Sequence, residues 1–349
     1  MDYMSRPAKP IRIINRSLIL IIALTGLALG ACTDHSAARR TYVLSTGTTG
    51  GTFYPVGVAL STLVTAQQDQ PFGLTAISSA GSMENVKLMR DNQAQFSLVL
   101  GVFAAWAWNG EGPVRTPQTY LRSISAMWPN VEHFMLLSRL VKNGTMMDLN
   151  ELDGERFVIG ARNSGAEQTG FYLFDALGID SERMTLAYMG YGAAASAIQD
   201  GNIVGMNVPA GAPVSAITRA YAQMGSDITL LEFSQNELDA INSRERLFDH
   251  YTLEPGTYPY QEQAITTASS SNVLIVRDDV DDEIVYQLTR MLWENLATLQ
   301  EIHSATRSMS LNEALRGVAV PLHPGALRYY QEQHVEIPDN LLPPENSAP

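Results

Sequence analysis

Four short segments of this 349-residue chain concentrate glycine with hydroxyl-bearing residues: STGTTGGT at 45–52, SAGSMEN at 79–85, ARNSGAEQ at 161–168 and YMGYGA at 188–193. Each lies at the junction between a short apolar, strand-like run and residues with helical spacing, so each reads as a strand–loop–helix corner. In an α/β sheet such corners gather on one edge, where ligands bind. A helix start offers unpaired N–H groups and a partial positive charge. Glycine lets the backbone approach closely, and Ser and Thr add hydroxyl donors. That is the chemistry for holding a carboxylate or a phosphate without a covalent step. Any one of these loops is equally an ordinary turn or helix cap.

Sharper alternatives fail on residue identity. The loop GTTGGTFY has no lysine, so it is not a phosphate-binding loop of the nucleotide-hydrolase kind. Neither Gly-x-Gly-x-x-Gly nor Gly-x-Ser-x-Gly occurs. Six histidines stand apart at 35, 133, 250, 303, 323 and 334, with no metal-ligand spacing. No metal, cofactor or catalytic residue is therefore expected, and His133 and His323 read as structural. Glu167 is the acid closest to a loop, and both helix capping and ligand recognition fit it. Tyr54 and Tyr191 stand beside the loops and could close over a ligand, whereas Trp106 and Trp108 read as packing residues.

The elements that must carry these loops follow from the rest of the chain. A basic head with Arg6, Lys9, Arg12 and Arg16 precedes SLILIIALTGLALGAC, an apolar run too short to span a bilayer. The run ends in Leu29-Gly30-Ala31-Cys32, which resembles a bacterial lipoprotein box. Residues 1–31 are thus expected to be a signal peptide, Cys32 a lipidated residue, and 32–40 a tether. Cys32 is the single cysteine, so disulfides and thiol catalysis are excluded. Loss of 1–31 removes four basic residues and one acid and takes the formal charge from −13 to −16. That argues against nucleic acid and anionic membrane surfaces as partners, but not against a local anion site.

Beyond the tether, TYVLSTG, FGLTAISSAGS and AQFSLVLG alternate with helical stretches, an α/β pattern with a largely parallel sheet. A second lobe begins near 131, with RFVIG and MTLAYMG as strands. DDEIVYQLTRMLWENLATLQEI reads as one long amphipathic helix. The proline-rich end, 341–349, is expected to be disordered.

Taken in order, STGTTGGTFYPVGVALSTLV, SSAGSMENVKLM, DLNELDGERFVIGARNSGAEQTG, LEPGTYPYQEQ and VPLHPGALRYYQEQ resemble the TAXI family, the solute-binding proteins of TRAP (tripartite ATP-independent periplasmic) transporters. The resemblance covers almost the whole chain after the tether. It implies an α/β, two-lobed, periplasmic-binding-protein-like (type II) clamshell, with 41–130 plus 260–340 as lobe 1 and 131–259 as lobe 2. It further implies a periplasmic, lipid-anchored, non-enzymatic receptor. Such a receptor captures a small carboxylate-bearing solute, an organic acid or amino acid resembling glutamate or 2-oxoglutarate, and delivers it to ion-coupled TRAP membrane permease subunits. Carried over by position, Thr48, Thr49, Thr52 and Tyr54 are expected near the ligand, with Gly81, Ser82 and Asn85 from the second loop. Ser164, Gly165, Ala166 and Glu167 face them from the other lobe, with Tyr191 and Pro209 at the rim. Two departures are notable. The family often has an acid near the position of Val102, and its Ser-Gly-Thr reads Ser164-Gly165-Ala166 here, one hydroxyl donor fewer. A sensory binding protein, or an envelope enzyme using Glu167 as its acid or base, would share this architecture.

Overall fold

Tyr42 and Leu44 alternate with outward-facing Thr41 and half-buried Val43, and the segment forms the first strand, β1 (Arg40–Ser45). A computed structural model describes residues 39–67, 70–244 and 246–344. The leader, Cys32 and the tether up to 38 lie outside the described residues, as do 345–349 of the tail.

After β1 come α1 (Phe53–Ala66), β2 (Phe72–Ile77), α2 (Ser82–Arg90), β3 (Phe96–Leu100) and α3 (Gly101–Asn109). Strands β2, β1 and β3 are neighbours and run parallel, as the alternating pattern predicts. The sheet is less parallel than the expected largely parallel form. The long strands β4 (Leu121–Val131) and β11 (Ile265–Arg277) and the short β10 (Asp249–Leu253) join it antiparallel. Tyr42 packs edge-on against Phe72 and Phe96, and this lobe's core extends through Leu44, Phe103, Trp128 and Leu288.

The second sheet has the order β7-β6-β8-β5-β9. Its strands are β5 (Phe134–Leu137), β6 (Arg156–Gly160), β7 (Thr185–Tyr188), β8 (Gly205–Asn207) and β9 (Ile228–Leu230). Helices α4 (Gly165–Leu177), α5 (Tyr191–Gln199), α6 (Ser215–Met224) and α7 (Gln235–Ile241) pack on it. One face centres on Phe134, whose ring lies 6.3 Å from Phe157, 6.0 Å from Phe174 and 6.2 Å from Phe233. The fold is mixed α/β with two lobes.

The two lobes share β4 and β11. Leu121–Trp128 of β4 pack in the first core, and Val131 packs in the second. Likewise Val273–Val276 of β11 belong to the first, while Ile265 and Ala268 belong to the second. The register between these strands slips at Ser271/Val273 and at Leu274/Ile275. Such bulges bend a strand and let one pair of strands serve two differently oriented sheets. Strand β10 bonds to β11 in the first sheet, but Leu253 and Tyr258 pack in the second lobe, so 249–259 straddles the expected boundary.

Two expectations need correction at the C-terminal end. The long helix divides into α8 (Asp282–Glu294) and α9 (Leu296–Ile302) at Asn295, whose Nδ2 donates back to Met291 O (2.9 Å). That side chain competes with the helix for its own carbonyl. The tail expected from 341 instead begins folded: after α10 (Pro324–Glu332), Leu341 is buried and its carbonyl accepts from Leu322 N (2.8 Å).

Candidate functional site

One cavity, of about 40 Å³, lies where the strand-end loops of the two lobes meet. Five helices begin in its wall. Thr52 precedes α1, Gly81 and Ser82 open α2, Leu100 precedes α3, Gly165 and Ala166 open α4, and Tyr191 opens α5. The first-turn N–H groups of a helix have no partner within it, so these starts direct donors and positive dipole ends at one small volume. Among the described residues the wall contains no charged side chain.

The sequence dictates the close approach of the jaws. A Cβ on Gly50 would come within 2.6 Å of Gly192 N, and one on Gly165 within 2.8 Å of Leu100 Cδ1 and Ser82 Oγ. Hydrogen bonds cross the cleft at the same place. Thr52 Oγ1 donates to Gly211 O (2.7 Å), Ser215 Oγ donates to Gly50 O (3.0 Å), and Glu84 N in α2 donates to Asn163 O (3.0 Å). Tyr191 lies against Gly51 and donates its hydroxyl to Pro209 O (3.0 Å), which fixes the ring as part of the wall. Its enclosed phenol is pushed up, first by burial and then by the nearby Glu132.

Of the residues expected at the site, Thr48, Thr52, Gly81, Ser82, Gly165, Ala166, Tyr191 and Pro209 line the cavity. Thr48 Oγ1 is enclosed and has no hydrogen-bond partner. The other five do not line it. Thr49 is exposed and Tyr54 is half-buried within α1. Asn85 serves the scaffold: its Nδ2 donates to Thr46 O (2.6 Å) and Leu98 O (2.8 Å), and its Oδ1 accepts from Ser79 Oγ (2.7 Å). Ser164 caps α4 by accepting from Glu167 N (3.0 Å). Glu167 returns the bond to Asn163 N (2.7 Å) and accepts from Gln168 Nε2 (3.2 Å), so its carboxylate is engaged in the loop. Both are the capping chemistry that the sequence allowed as the plainer reading.

Sequence reasoning missed the floor. Asn130, near the end of β4, lines the cavity with its Nδ2 buried and unpartnered. Phe53, Leu100 and Ala210 complete the wall, with Phe53 edge-on to Trp128 at 6.1 Å. Nothing in the motif WPNVEH marks Asn130 before the crossing of β4 between the lobes is known. His133, next to the floor, is held as expected of a structural histidine. Its Nδ1 meets Val208 O (3.1 Å) and its Nε2 meets Tyr258 Oη (2.7 Å), and burial lowers it to about 4. His323 caps α10 by accepting from Gly325 N (3.2 Å). Among the described residues no group of three or more His, Cys, Asp or Glu could hold a metal ion.

A model of the NMT1-like family matches residues 44–333, the span that builds both lobes and the cavity. The chain belongs to the NMT1-like family. Two solved structures relate this family member to a wider fold. The periplasmic binding protein BugD aligns over 85% of this chain and 94% of its own, with a TM-score of 0.52 and 13% identity. MatC from Rhodopseudomonas palustris, solved with bound malate, aligns over 76% of this chain and 88% of its own, with a TM-score of 0.50 and 12% identity. At such identities the likeness is one of fold, and it gives this NMT1-like chain the two-lobed fold of periplasmic binding proteins.

Proposed function

We propose that this chain is the extracytoplasmic solute-binding protein of a TRAP transporter of the TAXI kind. It takes a small carboxylate-bearing solute between its lobes and delivers it to an ion-coupled membrane permease. The observation that carries the reading is the convergence of five helix starts on one uncharged cavity. Backbone N–H groups there, with Thr48 and Ser82 hydroxyls and the Asn130 amide, offer a carboxylate donors that need not be rearranged on binding. Exclusion of water by the closing jaws strengthens each of those bonds. The bound malate of MatC, a small dicarboxylate in a protein of this fold, supports the same class of ligand. Cys32 as a lipid anchor in the cell envelope completes the reading, with the permease as the membrane partner. The enzyme alternative rested on Glu167, whose carboxylate is committed to Asn163 and Gln168.

A thermal-unfolding scan of the full-length chain in mild detergent, against organic acids, amino acids, sugars and metal cations, tests this. Ligands that bind only the folded state raise the midpoint. At least one small acid is expected to raise it. Stabilisation by sugars or cations, with none by any acid, would overturn the proposal.

A further inference from the structure

Trp128 and Asn130 on β4, and Glu132 one residue past its end, are all at least 98% buried. Their polar side-chain atoms Trp128 Nε1, Asn130 Nδ2 and both Glu132 carboxyl oxygens have no hydrogen-bond partner. Buried polar groups are ordinarily satisfied, so three such residues within so short a stretch call for an explanation. Asn130 lines the cavity, and Glu132, two residues later and just past the end of β4, is not itself among the lining residues. The intervening Val131 and the following His133 turn into the second lobe, where His133 is bonded to Tyr258. Two bonds hold the Glu132 backbone in place: Glu132 N donates to Ala268 O (2.9 Å) and Thr267 Oγ1 donates to Glu132 O (2.7 Å). Tyr191, in the cavity wall, feels the charge of Glu132.

A buried carboxyl group with no partner in the protein, next to an anion site, is available to a ligand that brings positive charge as well as its carboxylate. We infer that Glu132 is a specificity-determining residue that receives the positively charged amino group of the ligand, while the helix starts and Asn130 hold its carboxylate. The site then selects an amino acid over the hydroxy or oxo acid of the same skeleton. This rests on the carboxylate reading above and narrows it. Among the described residues no cation pairs with Glu132, and the titratable groups near it are the Tyr191 phenol from α5 and the adjacent His133, which burial keeps neutral. Burial alone pushes the Glu132 carboxyl up to about 8, so at pH 7 it is mostly protonated until a cation arrives. Amino-acid binding therefore expels a proton, and binding of the hydroxy or oxo acid does not.

Calorimetric titration of the full-length chain at pH 7 with L-glutamate, 2-hydroxyglutarate and 2-oxoglutarate, then with L-alanine, lactate and pyruvate, tests this. The amino member of a series is expected to bind at least about tenfold more tightly than its partners. Glu132→Gln should cost that preference while leaving the hydroxy and oxo acids within about threefold of their original affinity. Repeating the titration in phosphate and in Tris gives the protons exchanged without any substitution, and release approaching one per amino acid bound is expected. Hydroxy or oxo acids binding as well as the amino acid, or amino-acid binding with no proton released, would overturn the inference while leaving the carboxylate reading intact. No binding by any of the six compounds would remove the amino-acid selectivity along with support for the carboxylate site itself.

Discussion

At the scale of single residues, closure depends on atoms that are missing from the jaws. Gly50 and Gly192 face each other, yet they differ in tolerance: a Cβ on Gly50 strikes Gly192 N, whereas one on Gly192 meets only Arg219 at 3.9 Å. Overpacking of this kind costs ~1–3 kcal/mol. Gly50→Ala should therefore weaken solute binding by about tenfold or more with little change in the unfolding midpoint, and Gly192→Ala should stay within about twofold. Equilibrium titration of the two variants side by side checks this, and equal effects would show that the jaws do not meet as described. The glycine loops were legible in the sequence because helix starts and close approach demand specific residue types. Asn85, Ser164 and Glu167 have the same residue types and sit in the same loops, but they hold the loops together. Sequence cannot separate a donor aimed at a ligand from one aimed at a neighbouring carbonyl. Asn130 escaped because a strand carries no mark of where it passes a cavity.

At the scale of elements, β4 and β11 were the least legible parts, and they matter most to the architecture. The run LRSISAMWPNV mixes polar and apolar residues without clean alternation, since it is buried on both faces and changes lobes part-way. The parallel triplets β2-β1-β3 and β7-β6-β8 were easier, because short apolar strands followed by glycine loops and amphipathic helices have a distinctive rhythm. Within the second lobe, Phe134 on β5 joins three other phenylalanines. Phe134→Ala should destabilise the protein by about 3–5 kcal/mol, read from denaturant unfolding. At the junction of the lobes, Tyr258 Oη serves both His133 Nε2 and Val214 N (3.1 Å). Tyr258→Phe should cost about 1–3 kcal/mol, because two buried groups lose their partner. A loss below about 0.5 kcal/mol in the same assay would mean that neither bond matters to the fold.

At the scale of the whole molecule, three buried groups carry the largest shifts among those that titrate between about pH 4 and 8. Burial holds His133 and His323 down at about 4, below the ordinary 6.5. The unfolded chain therefore binds more protons than the folded one between about pH 4 and 6.5, and the stability these histidines give is lost as pH falls through that window. Glu132 acts in the opposite sense: raised from 4.5 to about 8, it keeps a proton that the unfolded chain has released. Its contribution is lost as pH rises from about 4.5 to 8. Two histidines outweigh one carboxyl on the acid side, and above about 6.5 only the carboxyl remains. Stability should therefore peak near pH 6.5 and decline by about 2 kcal/mol towards pH 8, and Glu132→Gln should flatten that decline. Denaturant melts across pH 4–9 measure both limbs. On the proposed function, the cavity between the jaws captures a small carboxylate-bearing solute. Calorimetric titration of the full-length chain with small carboxylic acids, in parallel with Gly50→Ala, tests it most directly. One-to-one binding of at least one acid, weakened by about tenfold in the variant, is the predicted result. Binding of a sugar or a cation but of no acid, or acid binding that Gly50→Ala leaves unchanged, would contradict it.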